Sequence, residues 1–282
     1  MMKREEKAFI KTVYDYYKEN GRHDLVWRHP TLKLRHGNKD FDPYRIAVSE
    51  VMLQQTQVTR VKEKYKEFLI VFPSLKSLAD APLIEVLKVW TGLGYNRRAK
   101  FLKSMAESII RDHKGEFPKT VEGLEKLPGV GHYTARAIAT FAYNQPHTFN
   151  ETNIRTVYMH HFFLESLELV DDKVLLPLIE ATLDWEHPRE WYWALMDYGS
   201  YLKSQGIKIH RNSKQYIKQK PLKGSIREVR GSIVKILAQG PQTILSLRKS
   251  TGFDTARYNS AIEQLVAEKL IEKKAGRYQI LG

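Results

Sequence analysis

The string Leu127–Ala135, with the sequence LPGVGHYTA, constrains the fold of this chain more than any other segment. Two glycines one residue apart can adopt backbone angles closed to other residues, so that several N–H groups point the same way. Leu124 and Leu127 suit a preceding helix, and an alanine-rich helix follows, whose dipole adds positive potential. The string therefore predicts a helix-hairpin-helix that holds a phosphate through its backbone.

Helical periodicity extends over most of the chain, and a strand pattern occurs only near its end. Asp42-Pro43 predicts a helix start, because a capping carboxylate precedes a proline at the first helical position. An all-α fold is therefore predicted.

The charge of the chain favours a polyanionic partner over a merely solvated basic surface. The net charge is +14, from 46 Lys and Arg against 32 Asp and Glu. Between Lys203 and Arg230 nine Lys and Arg residues are opposed only by Glu228. Such a run is typical of a linker or a phosphate-contacting segment, and Pro221 and Gly224 suggest a boundary there.

The absence of cysteine and of long apolar segments narrows the class of protein to which this chain can belong. The chain has no cysteine, which excludes disulfides, zinc–thiolate sites and all-cysteine iron–sulfur clusters. It also has no run of about 18 apolar residues, and its first residues lack the apolar core of a signal peptide. We expect an intracellular, cytoplasmic protein with no membrane association and no metal site.

The segment after the boundary predicts a winged helix-turn-helix. Ile226–Gln239, Thr243–Ser250 and Asp254–Lys269 have helical patterns, and Leu270–Ile280 predicts a hairpin that turns at Gly276. The third helix could enter a DNA major groove, or the module could dock a protein. Its candidate DNA contacts are Arg257, Tyr258, Asn259 and Lys273.

Four blocks carry a resemblance to a known family: Ser49–Val58, Trp90–Lys100, the hairpin string Leu127–Ala135, and Ala194–Gly199. Together they resemble the helix-hairpin-helix (HhH-GPD) base-excision DNA glycosylases, and within them the MutY-type adenine glycosylases more than endonuclease III. The likeness extends over roughly residues 8–205. It implies two helical lobes with a base pocket between them.

The resemblance and the composition together predict three parts. Residues 1–205 form the glycosylase domain, 206–224 a basic linker, and 225–282 the winged helix-turn-helix with its small β wing. The fold class is therefore an all-α, two-lobed HhH-GPD bundle followed by that module.

Cleavage of an N-glycosidic bond places positive charge on the sugar and negative charge on the leaving base. Two carboxyl groups of different pKa are useful for it, one to donate a proton and one to stay ionised. Glu50 lies among apolar residues, and burial would raise its pKa. The resemblance implies that Glu50 protonates the base; the alternative is an exposed helix glutamate.

The second carboxyl group departs from the family pattern. The family has a catalytic aspartate in a Leu-Asp-Gly-Asn-type string, where this chain has Asn150-Glu151-Thr152-Asn153. Glu151 should precede a helix, which favours an ionised carboxylate that stabilises the sugar or guides water. Because a misplacement of about 1 Å can cost about a hundredfold in rate, the site either compensates, is slow, or has changed chemistry. Asn153 could orient this carboxylate or water, or simply cap the helix.

Other family positions concern strand cleavage and DNA. Tyr133 stands where lyase-competent members carry lysine; without that amine no Schiff base forms, so a monofunctional enzyme is predicted. Gln54, Gln55 and Tyr95 match residues that contact or wedge the bases around a flipped nucleotide, the alternatives being helix-surface polarity and a core tyrosine. The hairpin contacts to DNA are expected from Gly129, Val130, Gly131, His132 and Thr134. We interpret Arg97, Arg98 and Lys100 as phosphate contacts or plain surface.

MutY-type members usually carry a four-cysteine iron–sulfur cluster and a C-terminal domain that senses 8-oxoguanine. This chain has the basic stretch Lys203–Lys223 and the winged module in their places. We therefore expect no cofactor, although the hairpin backbone could hold a monovalent cation. We expect the protein to be a monomer associated with the nucleoid. Its expected partner is double-stranded DNA with a mismatched or damaged base.

Three functions stay open at this point. The leading one is excision of adenine opposite 8-oxoguanine or guanine. The second is excision of uracil, thymine or another damaged base on the same scaffold. The third is a non-catalytic lesion-binding protein, because Glu151 replaces the usual aspartate.

Overall fold

The computed structural model describes residues 3–30, 32–33, 39–219 and 221–281, and within them the fold is mostly helical. The first helices are α1 (Arg4–Asn20), α2 (Pro43–Leu53), α3 (Val58–Val71), α4 (Leu75–Asp80), α5 (Leu83–Trp90) and α6 (Arg97–Asp112). They are followed by α7 (Val121–Glu125), α8 (His132–Tyr143), α9 (Thr152–Phe162), α10 (Asp172–Ala181) and α11 (Pro188–Ser204). Strands β1 (Leu32–Lys33) and β2 (Lys39–Asp40) form a short antiparallel pair. No helix in the described part of the chain is long and apolar enough to cross a membrane.

The C-terminal module has the predicted helices and hairpin. It contains α12 (Ile226–Leu237), β3 (Gln242–Thr243), α13 (Ile244–Thr251), α14 (Thr255–Ala267), β4 (Ile271–Lys274) and β5 (Arg277–Ile280). The sheet is antiparallel, in the order β3-β5-β4. Ala275 and Gly276 both have positive φ, as the turn of a tight hairpin requires. The prediction of a helical fold with a small C-terminal β wing is confirmed.

Side-chain caps mark the start of several helices. The Asp42 carboxylate accepts a hydrogen bond from the Tyr44 N–H at 2.9 Å, at the predicted start of α2. The Thr243 hydroxyl caps α13, and the Asp254 carboxylate caps α14 by accepting from the Arg257 N–H. Each cap satisfies a backbone donor that the helix itself leaves without a partner.

The chain forms two compact units. Unit 1 comprises Met1–Ile46, Lys119–Glu125 and Gly131–Lys218. Its core is rich in aromatic rings: Phe9 of α1 packs against Tyr158 at 4.9 Å and edge-on against Trp191 at 5.9 Å between ring centroids. Such rings bury large apolar areas and hold α1, α9 and α11 together.

Unit 2 comprises Ala47–Pro118, Lys126–Val130 and Gln219–Gly282. Trp90 and Phe68 are fully buried in its core and meet edge-on at 6.0 Å. The C-terminal module belongs to this unit, and the Lys100 ammonium donates to the Glu268 carbonyl oxygen at 2.5 Å. The boundaries at residues 205 and 224 stay predictions.

Candidate active site

The hairpin string lies between α7 and α8, as predicted, but its two glycines differ. Gly129 has φ +76, and a Cβ there would lie 2.4 Å from the Phe101 Cβ, so only glycine fits on both counts. Gly131 has an ordinary extended backbone at φ −96 and caps α8. The prediction of an unusual backbone was therefore wrong for Gly131, whose Cβ position is open space.

The preceding helix is shorter than predicted, because α7 ends at Glu125. Leu127 is buried but lies outside the helix, which corrects its assignment. Its carbonyl oxygen accepts from the Val130 N–H at 3.1 Å, so this N–H serves the turn itself. The N–H groups of the first turn of α8 have no acceptor within the helix itself.

A charge cluster lies at the start of α8. Arg136 donates to Glu125 at 2.7 Å, and His132 lies 3.0 Å from the same carboxylate oxygen. The hydrogen bond from Arg136 lowers the pKa of Glu125. Its negative charge is thereby balanced by a neighbouring cation, which leaves the helix N-terminus positive. His132 is exposed and Thr134 is buried.

Glu50 lies in the second half of α2 and is only 7% exposed. The predicted burial is present, and the alternative of an exposed helix glutamate is wrong. Its neighbours Val48, Ser49 and Met52 are buried as well. A carboxyl group in such surroundings has the environment that proton donors need.

Glu151 caps α9 with its own side chain. Its Oε1 accepts from the Asn153 N–H at 2.7 Å and from the Ile154 N–H at 3.1 Å. The predicted position before a helix is confirmed, and both bonds use the same carboxylate oxygen. Asn153 is not the cap, so that alternative is wrong. Its carboxamide oxygen is buried and has no hydrogen-bond partner among the residues that the structure describes.

The backbone at the start of α9 is held by α11. A Cβ on Gly199 would lie 2.3 Å from the Asn153 carbonyl oxygen, so glycine allows the two helices to approach this closely. Lys203, one turn further along α11, has its pKa lowered by burial, while the charge of Glu151 acts in the opposite direction. Gly199 and Lys203 therefore shape the surroundings of Glu151.

A buried ion cluster anchors α11 in turn. Both terminal nitrogens of Arg28 donate to the Asp197 carboxylate at 2.8 Å, and the Arg22 backbone N–H and Nε donate at 2.6 and 2.7 Å. Burial alone would raise the pKa of Asp197, but Arg28 and Arg22 hold it below its usual range. The sequence showed only an isolated Asp in a helical pattern, so this cluster was missed.

Tyr133 is half-buried and packs edge-on against Phe149, with 5.6 Å between ring centroids. Tyrosine has no side-chain amine, so it cannot form a Schiff base with the sugar. The role predicted for it stays a prediction.

The residues predicted to probe DNA lie in strained loops of unit 2. Gln55 and Tyr95 have φ +54 and +48, in the left-handed region that side chains other than glycine seldom adopt. Gln55 is exposed, Gln54 is half-buried, and Tyr95 is 37% exposed, so the alternative of a core tyrosine is wrong. Strain of this kind is typical of functional sites.

Arg98 fixes both of these loops. Its Nη1 donates to the carbonyl oxygens of Val51, Met52 and Gln54 at 2.6–3.0 Å, and its Nη2 donates to those of Leu93 and Gly94 at 3.0 and 3.1 Å. The side chain is buried, which lowers its pKa to about 10 and leaves it charged at neutral pH. Both interpretations of Arg98, phosphate contact and plain surface, were therefore wrong.

The candidate contacts of the winged module differ in exposure. Tyr258 is fully buried and belongs to the core of the module, so its predicted role in DNA contact was wrong. Arg257 is half-buried and pairs with Asp254, Asn259 accepts from Arg248 at 2.9 Å, and Lys273 lies over the Tyr278 ring. These three stay predictions.

The residues present do not fit an iron–sulfur cluster, since the chain has no cysteine to ligate one. Among the described residues, no group of three His, Asp or Glu side chains is placed to hold a metal ion.

Comparison with known proteins relates the chain to a protein family. Residues 48–173 match the family described as HhH-GPD superfamily base excision DNA repair protein. The adenine DNA glycosylase of Mycobacterium tuberculosis is 32% identical over 92% of this chain and 89% of its own length. That of Buchnera aphidicola subsp. Baizongia pistaciae is 32% identical over 69% of this chain, which spans only 53% of that relative.

Among solved structures, a thermostable thymine-DNA glycosylase superposes with a TM-score of 0.60 at 26% identity. The match covers 76% of this chain and 97% of that structure. The HhH-GPD glycosylase fold implied by the resemblance is confirmed.

Proposed function

The chain belongs to the HhH-GPD superfamily of base excision DNA repair proteins, and from this premise we propose that it is a monofunctional DNA glycosylase that removes adenine opposite 8-oxoguanine or guanine. The choice of base follows the relatives named adenine DNA glycosylase. The observation that carries the proposal is the pair of differently placed carboxyl groups. Glu50 is buried in α2, and Glu151 is bound by backbone N–H groups.

In the proposed reaction Glu50 transfers its proton to a ring nitrogen of the extruded base. The electron pair of the C1′–N bond then leaves with the base, and C1′ becomes cationic. The Glu151 carboxylate stabilises this cation, because negative charge is favoured at a helix N-terminus. A water molecule adds to C1′ and gives up a proton to a carboxylate, which yields the free base and an abasic site.

The replacement of aspartate by Glu151 fits this scheme because the carboxylate folds back onto α9. The cap draws one oxygen toward the backbone, which shortens the effective reach of the longer side chain. Tyr133 in place of lysine supports the absence of strand cleavage, since a Schiff base requires an amine.

DNA is the proposed partner, and the hairpin and the strained loops are the proposed contacts. Hairpin contacts to phosphates would come from the first turn of α8 and from the open surface at Gly131. Gln55 and Tyr95 are exposed, and their side chains suit contacts to the bases around the gap.

The test is single-turnover cleavage of duplexes that contain A:8-oxoguanine, A:G, T:G, U:G or hypoxanthine pairs. We expect adenine release from the first two and abasic product without strand breaks. Glu50→Gln should abolish release, whereas the control Glu63→Gln, at an exposed position of α3, should leave it unchanged. Binding without abasic product on every duplex would contradict the proposal.

A second candidate function is thymine or uracil excision opposite guanine. It is favoured by the structural match to a thymine-DNA glycosylase, which covers nearly all of that protein. The T:G and U:G duplexes decide between the two, because the leading function predicts no release from them.

Glu151→Asp directly tests the effect of glutamate in place of the family's aspartate. Aspartate is also a good helix cap, so the stability of α9 should change by less than about 1 kcal/mol. We expect the cleavage rate to fall about tenfold, because the carboxylate retreats by roughly a bond length. A faster enzyme would show that Glu151 impairs the site.

A further inference from the structure

Two residues of the C-terminal part of unit 2 hold the strained loops. The Gln219 carboxamide donates to the Gln55 side-chain oxygen at 2.7 Å and also to the Tyr95 hydroxyl. Arg227, in the first turn of α12, donates to the same hydroxyl. The Tyr95 hydroxyl therefore accepts from two side chains that lie more than 120 residues away in the chain.

Two cations also lie close to the Tyr95 ring. The guanidinium carbon of Arg227 lies 5.3 Å from the ring centroid, and that of Arg98 lies 5.6 Å from it. Arg98 is buried and tied to backbone carbonyls, whereas Arg227 comes from the C-terminal module. Cation–π contacts of this kind stabilise one ring orientation.

The backbone shows why such contacts are needed. Left-handed conformations at residues other than glycine cost on the order of 1–3 kcal/mol each and persist only where their surroundings over-determine them. Gln55 and Tyr95 both carry this cost, and both side chains end on Gln219. A third link, from Lys100 to the Glu268 carbonyl oxygen, attaches α6 to the same module.

We propose that Gln219 and Arg227 are positioning residues that hold Gln55 and Tyr95 in their strained, exposed conformation, so that the C-terminal part of unit 2 controls base extrusion by this enzyme. The proposal rests on the proposed function for its catalytic consequence. The C-terminal module would then act on the bases through Tyr95 as well as through any DNA contact of its own.

The positioning is tested first in the free, full-length protein by amide hydrogen exchange. In the Gln219→Ala/Arg227→Ala variant we expect exchange at residues 91–98 to accelerate about tenfold. Lys235→Ala is the matched control, because it removes a cation from an exposed position of the same helix. Exchange in α9 of unit 1 is the internal reference, and it should not change. Unchanged exchange at residues 91–98 would overturn the proposal.

The consequence for extrusion is tested by a double-mutant cycle in single-turnover cleavage. Arg227→Ala and Tyr95→Phe should each slow the reaction about tenfold, and the double variant should be no slower than Arg227→Ala alone. Fluorescence of 2-aminopurine beside the target base should report the same loss of extrusion. Additive effects would overturn the proposal, as would a faster Arg227→Ala enzyme, which would mean that the contact restrains Tyr95.

The two tests separate the two proposals. If the wild-type protein cleaves no duplex, the proposed function fails, and the exchange measurement alone decides on positioning. If cleavage occurs and exchange is unaffected, the proposed function stands and the positioning is wrong.

Discussion

Glu151 in unit 1 and Tyr95 in unit 2 are held in opposite ways. Glu151 is fixed by backbone N–H groups at the start of α9. The position of α9 depends in turn on the close contact with Gly199 and on the buried Arg28–Asp197 ion pair of α11. Tyr95 is exposed, has a strained backbone, and is held by side chains. Groups proposed for chemistry are thus built into helices, whereas the proposed DNA probe is held by side chains from distant parts of the chain.

The largest expected effect concerns the ion cluster of unit 1. Asp197→Asn leaves Arg28 buried without an anion, which should lower the free energy of unfolding by about 3–5 kcal/mol. Urea unfolding followed by tryptophan fluorescence measures it. Asp80→Asn is the control, since its ion pair with Lys76 is exposed and should contribute less than about 1 kcal/mol. Equal losses of stability in the two variants would show that the buried ion cluster contributes no more than the surface ion pair.

Gly199→Ala should come next, because the new methyl group meets the Asn153 backbone and must displace α9. We expect a loss of about 1–3 kcal/mol in stability and a cleavage rate lower by about a hundredfold. Gly231→Ala is the matched helical control. Its Cβ position is open, so this variant should be slightly more stable and equally active. A fully active Gly199→Ala enzyme would show that the position of Glu151 does not depend on this contact.

In unit 2, Arg98→Lys should cost about 2 kcal/mol of stability, because one ammonium cannot reach the carbonyl oxygens of both loops. Cleavage should fall by a larger factor than stability explains, since Gln55 and Tyr95 lose their common support. The measurement is chemical unfolding beside single-turnover cleavage at saturating enzyme. Unchanged cleavage at reduced stability would make Arg98 a purely structural residue.

The smallest effect is a pH dependence located in unit 1. Burial and the neighbouring His160 lower the pKa of His161 to about 4. In the unfolded chain this pKa is about 6.5, so the stability it contributes is complete above that pH and is lost as pH falls toward 4. Because His161 is more than a third exposed, solvent screening reduces the effect, and between pH 7 and 5.5 the wild type should lose less than about 1 kcal/mol relative to His161→Gln in urea unfolding. Parallel pH profiles of the two proteins would contradict this.

Local patterns predicted the elements of the site. The hairpin string, the Asp42-Pro43 cap and the position of Glu151 before a helix depend on residues a few places apart, and each was found where the pattern indicated. The burial of Glu50 followed from its apolar neighbours in the same helix. The errors at Gly131 and Leu127 concern backbone angles and helix ends, which short patterns constrain weakly.

The sequence by itself determined the helical fold, the family, the winged module and the helix positions of the two candidate acidic residues, because these depend on periodicity and on contiguous motifs. Only the tertiary structure decided that Arg98 is buried and that Asp197 accepts hydrogen bonds from two arginines. It alone also showed that Gln219 and Arg227 donate hydrogen bonds to Tyr95. Such contacts join residues tens to hundreds of positions apart. A charged side chain looks the same in a sequence whether it faces water or a ring of carbonyl oxygens, and packing alone distinguishes the two.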